Sequence, residues 1–403
     1  MSRLNELIQE LCPNGVEYKR IDELCDVARG IVISKQFIEN NKGDYPVYSS
    51  QTENDGELGK ISTYKYDGEY LTWTTDGANA GSVFYRNGKF NVTNVCGLLK
   101  NKFNRLNTKF LYYALSIEAP KYVNRGMGNA KLMSNVMSSI SIPVPPRPIQ
   151  DEIVRILDNF TELTAELTAE LTARKKQYEY YRDSLLTGIT DIPKVKLGDI
   201  AKFKYGFTDK AKDEGDYRFI RITDIISDGN LSLDGKKYID ASFNSSKYLL
   251  NKGDLLVART GATYGKTLYI DTDEPSVYAS FLIKIELNNN LIDNRYYWHF
   301  SKSNLYWRQA NKLVSGGGQQ QFNANVLEKV IVPLPSLEIQ NRLVEVLDNF
   351  DTICSDLNIG LPAEIEARQK QYEYYRDLLL TFAETGNIIE RTNERTNEQT
   401  SNN

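Results

Sequence analysis

The chain has 403 residues, 49 Lys/Arg against 53 Asp/Glu, a net charge of −4 and one histidine. That length carries two or three domains with cores of their own; no run of about 18 apolar residues marks a membrane-crossing helix, and the polar, mixed-charge stretch Met1–Glu10 does not read as a signal peptide. Four cysteines, Cys12, Cys25, Cys96 and Cys354, stand without CxxC spacing, which suits a reducing cytoplasm and speaks against a zinc site.

Residues 1–15 read as a short helix, with Leu4, Leu7, Ile8 and Leu11 on one face and a stop at Pro13 and Gly15. From Val16 to about Ser141 the pattern shortens to strand-like runs, Tyr70–Thr74, Ser82–Tyr85 and Val92–Leu99, parted by Gly, Asn and Asp turns. A helical stretch follows at Lys109–Ile117. Residues 149–187 predict one long helix. Pro148 suits its first turn, and Gly188 suits its C-cap. Ile149, Ile153, Ile156, Phe160, Leu163, Leu167 and Leu171 recur at spacings of three and four, and Tyr178, Tyr181 and Leu185 continue the stripe. At about 1.5 Å per residue this rod is roughly 58 Å long and needs a partner helix.

Residues 193–335 repeat the first block. Gly77-Ala78-Asn79-Ala80-Gly81 matches Gly261-Ala262-Thr263-Tyr264-Gly265, Val92–Leu98 matches Val277–Ile283, and Arg125-Gly126-Met127-Gly128 matches Ser315-Gly316-Gly317-Gly318. The frame is kept while its polar side chains differ, as expected of two related readers of two different ligands. Residues 336–382 repeat the rod through Ile339, Leu343, Val346, Phe350, Ile353 and Leu357, with a break expected at Gly360 and Pro362. The two rods share Leu-Asp-Asn-Phe (157–160, 347–350) and the eight-residue word Lys-Gln-Tyr-Glu-Tyr-Tyr-Arg-Asp (176–183, 370–377). A repeat of about half the chain means tandem duplication, not a solenoid. The polar tail from Gly386 reads as disordered.

Charge alternates along these blocks. Residues 1–148 hold 18 Lys/Arg against 15 Asp/Glu, and residues 193–335 hold 20 against 16. Residues 149–192 hold 5 against 9, and 336–403 hold 6 against 13. The basic blocks suit a phosphate-facing surface, although imbalances of this size also describe ordinary solvated surface. Catalytic motifs are missing. Gly261–Thr267 fails as a P-loop, because the first glycine of GxxxxGK[ST] would fall at Thr260 and the segment runs from strand to strand. No GxSxG, Cys–His pair, metal-ligand spacing or Asp/Asn-Pro-Pro-Tyr/Phe tetrad occurs. His299, among Tyr296, Tyr297, Trp298 and Phe300, reads as a packed ring.

The Pro-x-Pro words (Pro143-Val144-Pro145, Pro333-Leu334-Pro335), the paired Ile-Gln and Leu-Asp-Asn-Phe rods, the two eight-residue words and the Glu-Leu-Thr-Ala repeats at 162–173 carry a resemblance. Over all but the tail, the chain resembles the specificity (S) subunit of type I restriction–modification enzymes, in the subgroup with central four-residue spacer repeats. The resemblance implies an α/β (α+β) fold with two tandem target-recognition domains, held apart by two long helices in an antiparallel coiled coil with pseudo-twofold symmetry. The boundaries are then 1–148 and 193–335 for the domains, 149–192 and 336–385 for the helical spacers, and 386–403 for the tail. It further implies duplex DNA as ligand, with each domain reading one half of a split site from the major groove. Two methyltransferase (M) subunits and motor-nuclease (R) subunits are the implied partners, without a membrane. The chain itself would be non-catalytic and without cofactor; S-adenosylmethionine, ATP and Mg would sit on the partners.

Base edges and phosphates are read by Arg, Lys, Asn, Gln, Ser and Thr. The candidates in the first domain are Ser49, Ser50, Gln51, Thr74, Thr75, Asp76, Asn79 and Arg86. Those in the second are Arg218, Arg221, Arg259, Thr260, Thr263, Tyr264 and Lys266, with Gln319, Gln320 and Gln321 as a third set. The eight-residue words have two readings. Tyr178, Tyr181, Tyr372 and Tyr375 can pack within the coiled coil, or, with Arg182, Arg376 and the off-stripe Tyr180 and Tyr374, form a docking surface for the M subunits. A structural adaptor that binds proteins without touching DNA is the rival reading of the whole.

Overall fold

The computed structural model describes residues 2–126, 128–187, 192–226, 229–232, 234–314, 322–356 and 359–385. The tail expected to be disordered, the Gly188 cap, Met127 of the first Gly-rich match, Ser315–Gly318 of the second and Gln319–Gln321 lie outside the described residues. The chain forms two compact units, Met1–Ala165 with Ala367–Asn403, and Glu166–Glu366. Each unit therefore holds one domain, half of the long helix Arg147–Thr187 and part of the second rod.

In the first unit a six-stranded mixed sheet runs in the order Cys25–Arg29, Cys96–Asn101, Tyr66–Thr74, Val83–Val92, Lys42–Tyr48, Glu57–Ile61. All its pairings are antiparallel except that of Lys42–Tyr48 with Val83–Val92. The run Val92–Leu99, expected as one strand, is broken: Cys96 N–H turns back to the Thr93 carbonyl at 3.1 Å, so Val92 ends one strand and Cys96 starts another. The helix Thr108–Glu118 is capped by Asn107, whose Oδ1 accepts from the Lys109 and Phe110 amides. It buries Phe110, Leu111 and Leu115 with Trp73 and Leu71. The helix Ser2–Leu11 adds Leu4, and the same core takes in Ile149, Ile153, Leu157 and Leu379 from the rods.

The second unit divides its strands. Four form an antiparallel sheet, Ala201–Tyr205, Leu282–Leu287, Leu255–Ala258, Thr267–Tyr269; three form another, Tyr238–Ile239, Tyr217–Ile220, Ser276–Tyr278. The core packs Leu255, Val257 and Ile283 under the aromatic helix Asn294–Ser301 and the helix Asn304–Val314.

The repeated words do the same job in both units. The Pro-x-Pro segments close each domain at its neck: Ser141–Pro143 pairs with Tyr18–Arg20, and Ile331–Pro333 with Lys194–Lys196. The glutamine of Ile-Gln then ties rod to domain. Gln150 accepts from the Asn107 amide and donates to the Pro145 carbonyl; Gln340 does the same with the Asp293 amide and Pro335. The aspartate of Leu-Asp-Asn-Phe receives Lys109 and Tyr113 in one unit, and Arg295 and His299 in the other, all at 2.6–2.7 Å. Its phenylalanine meets the eight-residue word of the other repeat. Phe160 stacks on Tyr375 at 5.3 Å, and Phe350 on Tyr181 at 5.5 Å.

In the second unit Phe350 lies at Tyr181 while Cys354, one turn further on, feels the charges of Lys175 and Arg174. The two helices therefore run antiparallel there. The second rod ends its first helix at Ser355 and starts its second at Leu361, with Pro362 in the first turn. A Cβ on Gly360 would stand 2.6 Å from the Thr352 carbonyl, so the expected break depends on this glycine.

Candidate nucleic-acid interface

In the first domain the strand Tyr66–Thr74 returns as Val83–Val92 through the Gly77–Gly81 turn. Gly77 and Gly81 have φ of 95° and 87°, a region open to glycine. Gly81 N–H bonds the Thr74 carbonyl and Thr74 N–H the Ser82 carbonyl, each at 2.9 Å. A second loop joins this turn. Asn124 and Lys131 exchange two backbone hydrogen bonds, Gly77 N–H reaches the Ala130 carbonyl, and Leu132 N–H reaches that of Thr75. The Trp73 indole secures the loop from below at the Leu132 carbonyl, 2.9 Å away. One edge thus collects the exposed side chains of Asn79, Arg125, Asn129 and Lys131. Asn79 is tied to Thr52, and Asp76 lies 3.9 Å from Arg29.

The second domain builds the same edge. Strand Leu255–Ala258 returns as Thr267–Tyr269 through Gly261–Gly265, both glycines at φ 76°. Gly265 N–H bonds the Ala258 carbonyl at 2.8 Å, and Phe322 N–H bonds that of Arg259 at 2.7 Å, the counterpart of Leu132 on Thr75. Phe322 directly follows Gln319–Gln321 in the sequence. The Arg259 guanidinium donates to the Ser280 carbonyl and lies 4.9 Å from the Tyr205 ring centroid. Phe281, whose carbonyl takes the Arg259 amide, is 54 % exposed, and Tyr205 is also exposed. Arg259 over one exposed ring, with a second exposed ring on the residue that accepts its amide, gives a surface on which bases can stack.

Several candidates prove to be internal. Arg86 is buried: it stacks on Tyr48 at 3.6 Å, donates to Thr72 and clamps Asp55 through side chain and carbonyl. It thereby holds Asn54 and Asp55 at positive φ. Arg218 is buried on the Ser232 carbonyl and Glu274, and Arg221 wraps Asp224 at 2.7 Å. Thr74 and Thr75 are buried, the latter's hydroxyl bonded to Asp76 and the Val95 carbonyl. Because burial takes the polar groups of Arg86, Arg218, Thr74 and Thr75 away from the surface, and Asp224 with the Gly235 carbonyl takes up the half-buried Arg221 guanidinium, these five are corrected from readers to framework. Ser49 accepts from Thr93, Gln51 donates to the Glu57 carbonyl, and Ser50 is half-buried beside them. Thr260 precedes the second turn, the Thr263 carbonyl accepts the Lys266 amide, and the Tyr264 hydroxyl donates to Asn311 at 2.9 Å. Lys266 faces a concavity shared with the long helix, not the Arg259 side. Arg125, Asn129, Lys131, Tyr205 and Phe281 were missed; the cation inside the first Gly-rich match was the available signal for Arg125.

In the eight-residue words, Tyr178 is buried with its hydroxyl on His299 Nδ1 at 2.9 Å, and Arg182 is buried over its ring. Tyr372 and Tyr375 are partly buried. Tyr180, at 68 %, and Tyr374 are exposed, with Tyr181 partly so. Arg376 pairs with Asp377. His299 donates from Nε2 to Asp348; burial pushes its pKa down, and the carboxylate offsets this only in part. Burial pushes the Cys25 and Cys96 thiols up to about 12, which leaves them inert. Among the described residues no three His, Cys, Asp or Glu gather as metal ligands, and no helix is long and apolar enough to cross a membrane.

Over residues 13–174 and 190–367 the chain matches the family described as the type I restriction modification DNA specificity domain. A type I specificity subunit of Mycoplasma pneumoniae is 35% identical over 375 residues, covering 92% of this chain and 98% of its own. A type I restriction enzyme specificity subunit of Haemophilus influenzae is 33% identical over 387 residues, covering 91% and 96%. Among solved structures, the S subunit of a type I restriction–modification system from M. genitalium aligns with a TM-score of 0.56 at 18% identity, over 92% of this chain and 96% of its own. A chain from a study of type I complex assembly and conformational transition aligns at 0.60 and 14%, over 91% and 98%. These two structures share the fold.

Proposed function

The chain belongs to the type I restriction modification DNA specificity family, and from that premise we propose that it reads a bipartite duplex target with an unspecified spacer between its halves. In this reading residues 1–148 and 193–335 each read one half-site, and 149–192 and 336–385 are the helical spacers. The chain is itself non-catalytic. It directs adenine-N6 methylation and restriction by two M subunits and by R subunits, which hold S-adenosylmethionine, ATP and Mg.

The supporting observation is the pair of matching edges. Each is a strand end and a glycine turn met by a returning backbone amide, Leu132 in one and Phe322 in the other, and each displays a different polar set: Asn79, Arg125, Asn129 and Lys131 against Arg259, Thr260 and Thr263 with two exposed rings. A fixed frame with exchanged side chains is how two half-sites of different sequence are read. Mapping N6-methyladenine in a host that carries this chain with its methyltransferase partner tests the reading. One bipartite motif is expected, and it disappears when the chain is deleted. Methylation that keeps its sequence without the chain would refute it.

A further inference from the structure

In the second unit a concavity of about 510 Å³ opens where the long helix passes the strand Thr267–Tyr269 and the helix Asn294–Ser301. Four cations line it, Lys175, Arg182, Lys266 and Lys302, against two carboxylates, Glu179 and Asp351. Lys302 is held by Asp351 at 3.0 Å and lies 3.4 Å from the Trp298 ring centroid. Lys175 and Lys266 form no ion pair or side-chain hydrogen bond among the described residues. Arg182 is only 7 % exposed, and its Nε has no hydrogen-bond acceptor. Among the described residues the carboxylate within ion-pair distance of it is Asp183, 3.7 Å away, which accepts from the backbone and side-chain amides of Asn304.

The first unit shows that the fold does not require this arrangement. There the matching arginine, Arg376, is satisfied by Asp377 through bonds of 3.0 and 2.8 Å. The positions that match Lys175, Lys266 and Lys302 are Gln369, Ser82 and Ser116, all uncharged. Three lysines have thus been placed on a scaffold that packs without them, around a buried guanidinium whose donor is left open. A buried charged donor without an acceptor is costly, and an arriving oxyanion relieves that cost.

We propose that this concavity is a binding site for a phosphate-bearing anion, held by Arg182 and the two unpaired lysines. The two-charge excess matches a phosphate group, which carries about two negative charges at neutral pH. The planar guanidinium suits its oxygens, and Trp307 on the same wall offers an apolar face to whatever bears the phosphate. The source is a free small molecule or the backbone of a bound duplex.

Calorimetric titration of the full-length chain with inorganic pyrophosphate at fixed ionic strength tests the site. Saturable one-to-one binding is expected. Lys175→Met and Lys266→Met should each weaken it about tenfold, the loss expected for one charge-assisted contact, while Lys252→Met, at an exposed pair with Asp271, leaves it unchanged. Melting temperatures of the same samples report folding. If pyrophosphate still binds in the presence of target duplex, the ligand is a free anion. If duplex displaces it, and the double variant lowers the salt slope of DNA binding by about two, the ligand is a backbone phosphate. The absence of saturable heat, or equal affinity in folded Lys175→Met/Lys266→Met protein, overturns the proposal.

Discussion

Asp348 receives Arg295 Nε and His299 Nε2, each at 2.7 Å, and so pins the aromatic helix to the rod. Burial pushes its carboxyl up, but the His299 hydrogen bond and the Arg295 charge outweigh this and hold it below the ordinary carboxylate range. For His299 the balance is reversed: desolvation lowers its pKa against the partial offset of Asp348, while Lys302 and Arg295 add to the lowering. The folded ring is therefore neutral, with Nδ1 accepting from Tyr178. Since the unfolded ring takes up a proton below about pH 6.5, stability should fall as pH drops through that value, by up to about 1.4 kcal/mol per pH unit. His299→Tyr, which installs the residue found at the matching position Tyr113, should flatten this stretch of a stability-against-pH curve. An unchanged curve would show that His299 titrates alike folded and unfolded. Two cations in the first domain separate framework from reader. Arg86→Ala should cost about 2–3 kcal/mol of stability. Lys131→Ala should leave the melting temperature alone and lower the salt slope of DNA binding by about one. A Lys131→Ala protein with an unaltered salt slope would place the duplex away from this loop.

The elements best read from sequence were those whose signal is local. The long helix was expected at 149–187 and runs Arg147–Thr187, and the break at Gly360 and Pro362 falls where expected. The strand-to-strand path through Gly261–Gly265, which excludes a phosphate loop, also holds. What could not be read depends on partners distant in sequence. Val92–Leu99 looked continuous because nothing local marks the Thr93–Cys96 turn, and Arg86 and Arg218 looked like readers because burial of an arginine depends on the carboxylates and rings that the fold brings to it. Packing of Tyr181 and Tyr375 against the other rod was legible in the eight-residue word, but their partners Phe350 and Phe160 were not, since each lies in the other repeat. Phe160→Ala and Phe350→Ala should each remove one tyrosine stack, at about 1–3 kcal/mol. Hydrogen exchange should rise around Tyr375 for the first and around Tyr181 for the second. Equal loosening of both words by either substitution would mean that the two clamps are not independent.

At the scale of the whole chain, two domains on one frame predict separable specificity. Exchanging residues 16–141 for the same block of a relative should alter one half-site in a methylation map and leave the other as it was. In the proposed reading the spacing between half-sites should follow the length of the helix Arg147–Thr187. Its Glu-Leu-Thr-Ala repeats at 162–173 place Leu163, Leu167 and Leu171 at half-buried positions, and the hydroxyls of Thr164 and Thr172 bond back to the carbonyls of Phe160 and Thr168 without breaking the helix. One added repeat lengthens this helix by about 6 Å. Four residues at about 100° each leave a net rotation of roughly 40°, so the leucine stripe keeps nearly the same facing. DNA rises about 3.4 Å per base pair, so the added length corresponds to one or two base pairs, and the added rotation is close to the twist of one. Methylation maps of the wild type and of a chain with one extra repeat should therefore show the same two half-sites, with the unspecified gap longer by about one base pair. A gap of unchanged length would mean that the spacing is fixed elsewhere, and altered half-site bases would mean that the repeat positions the reading edges themselves.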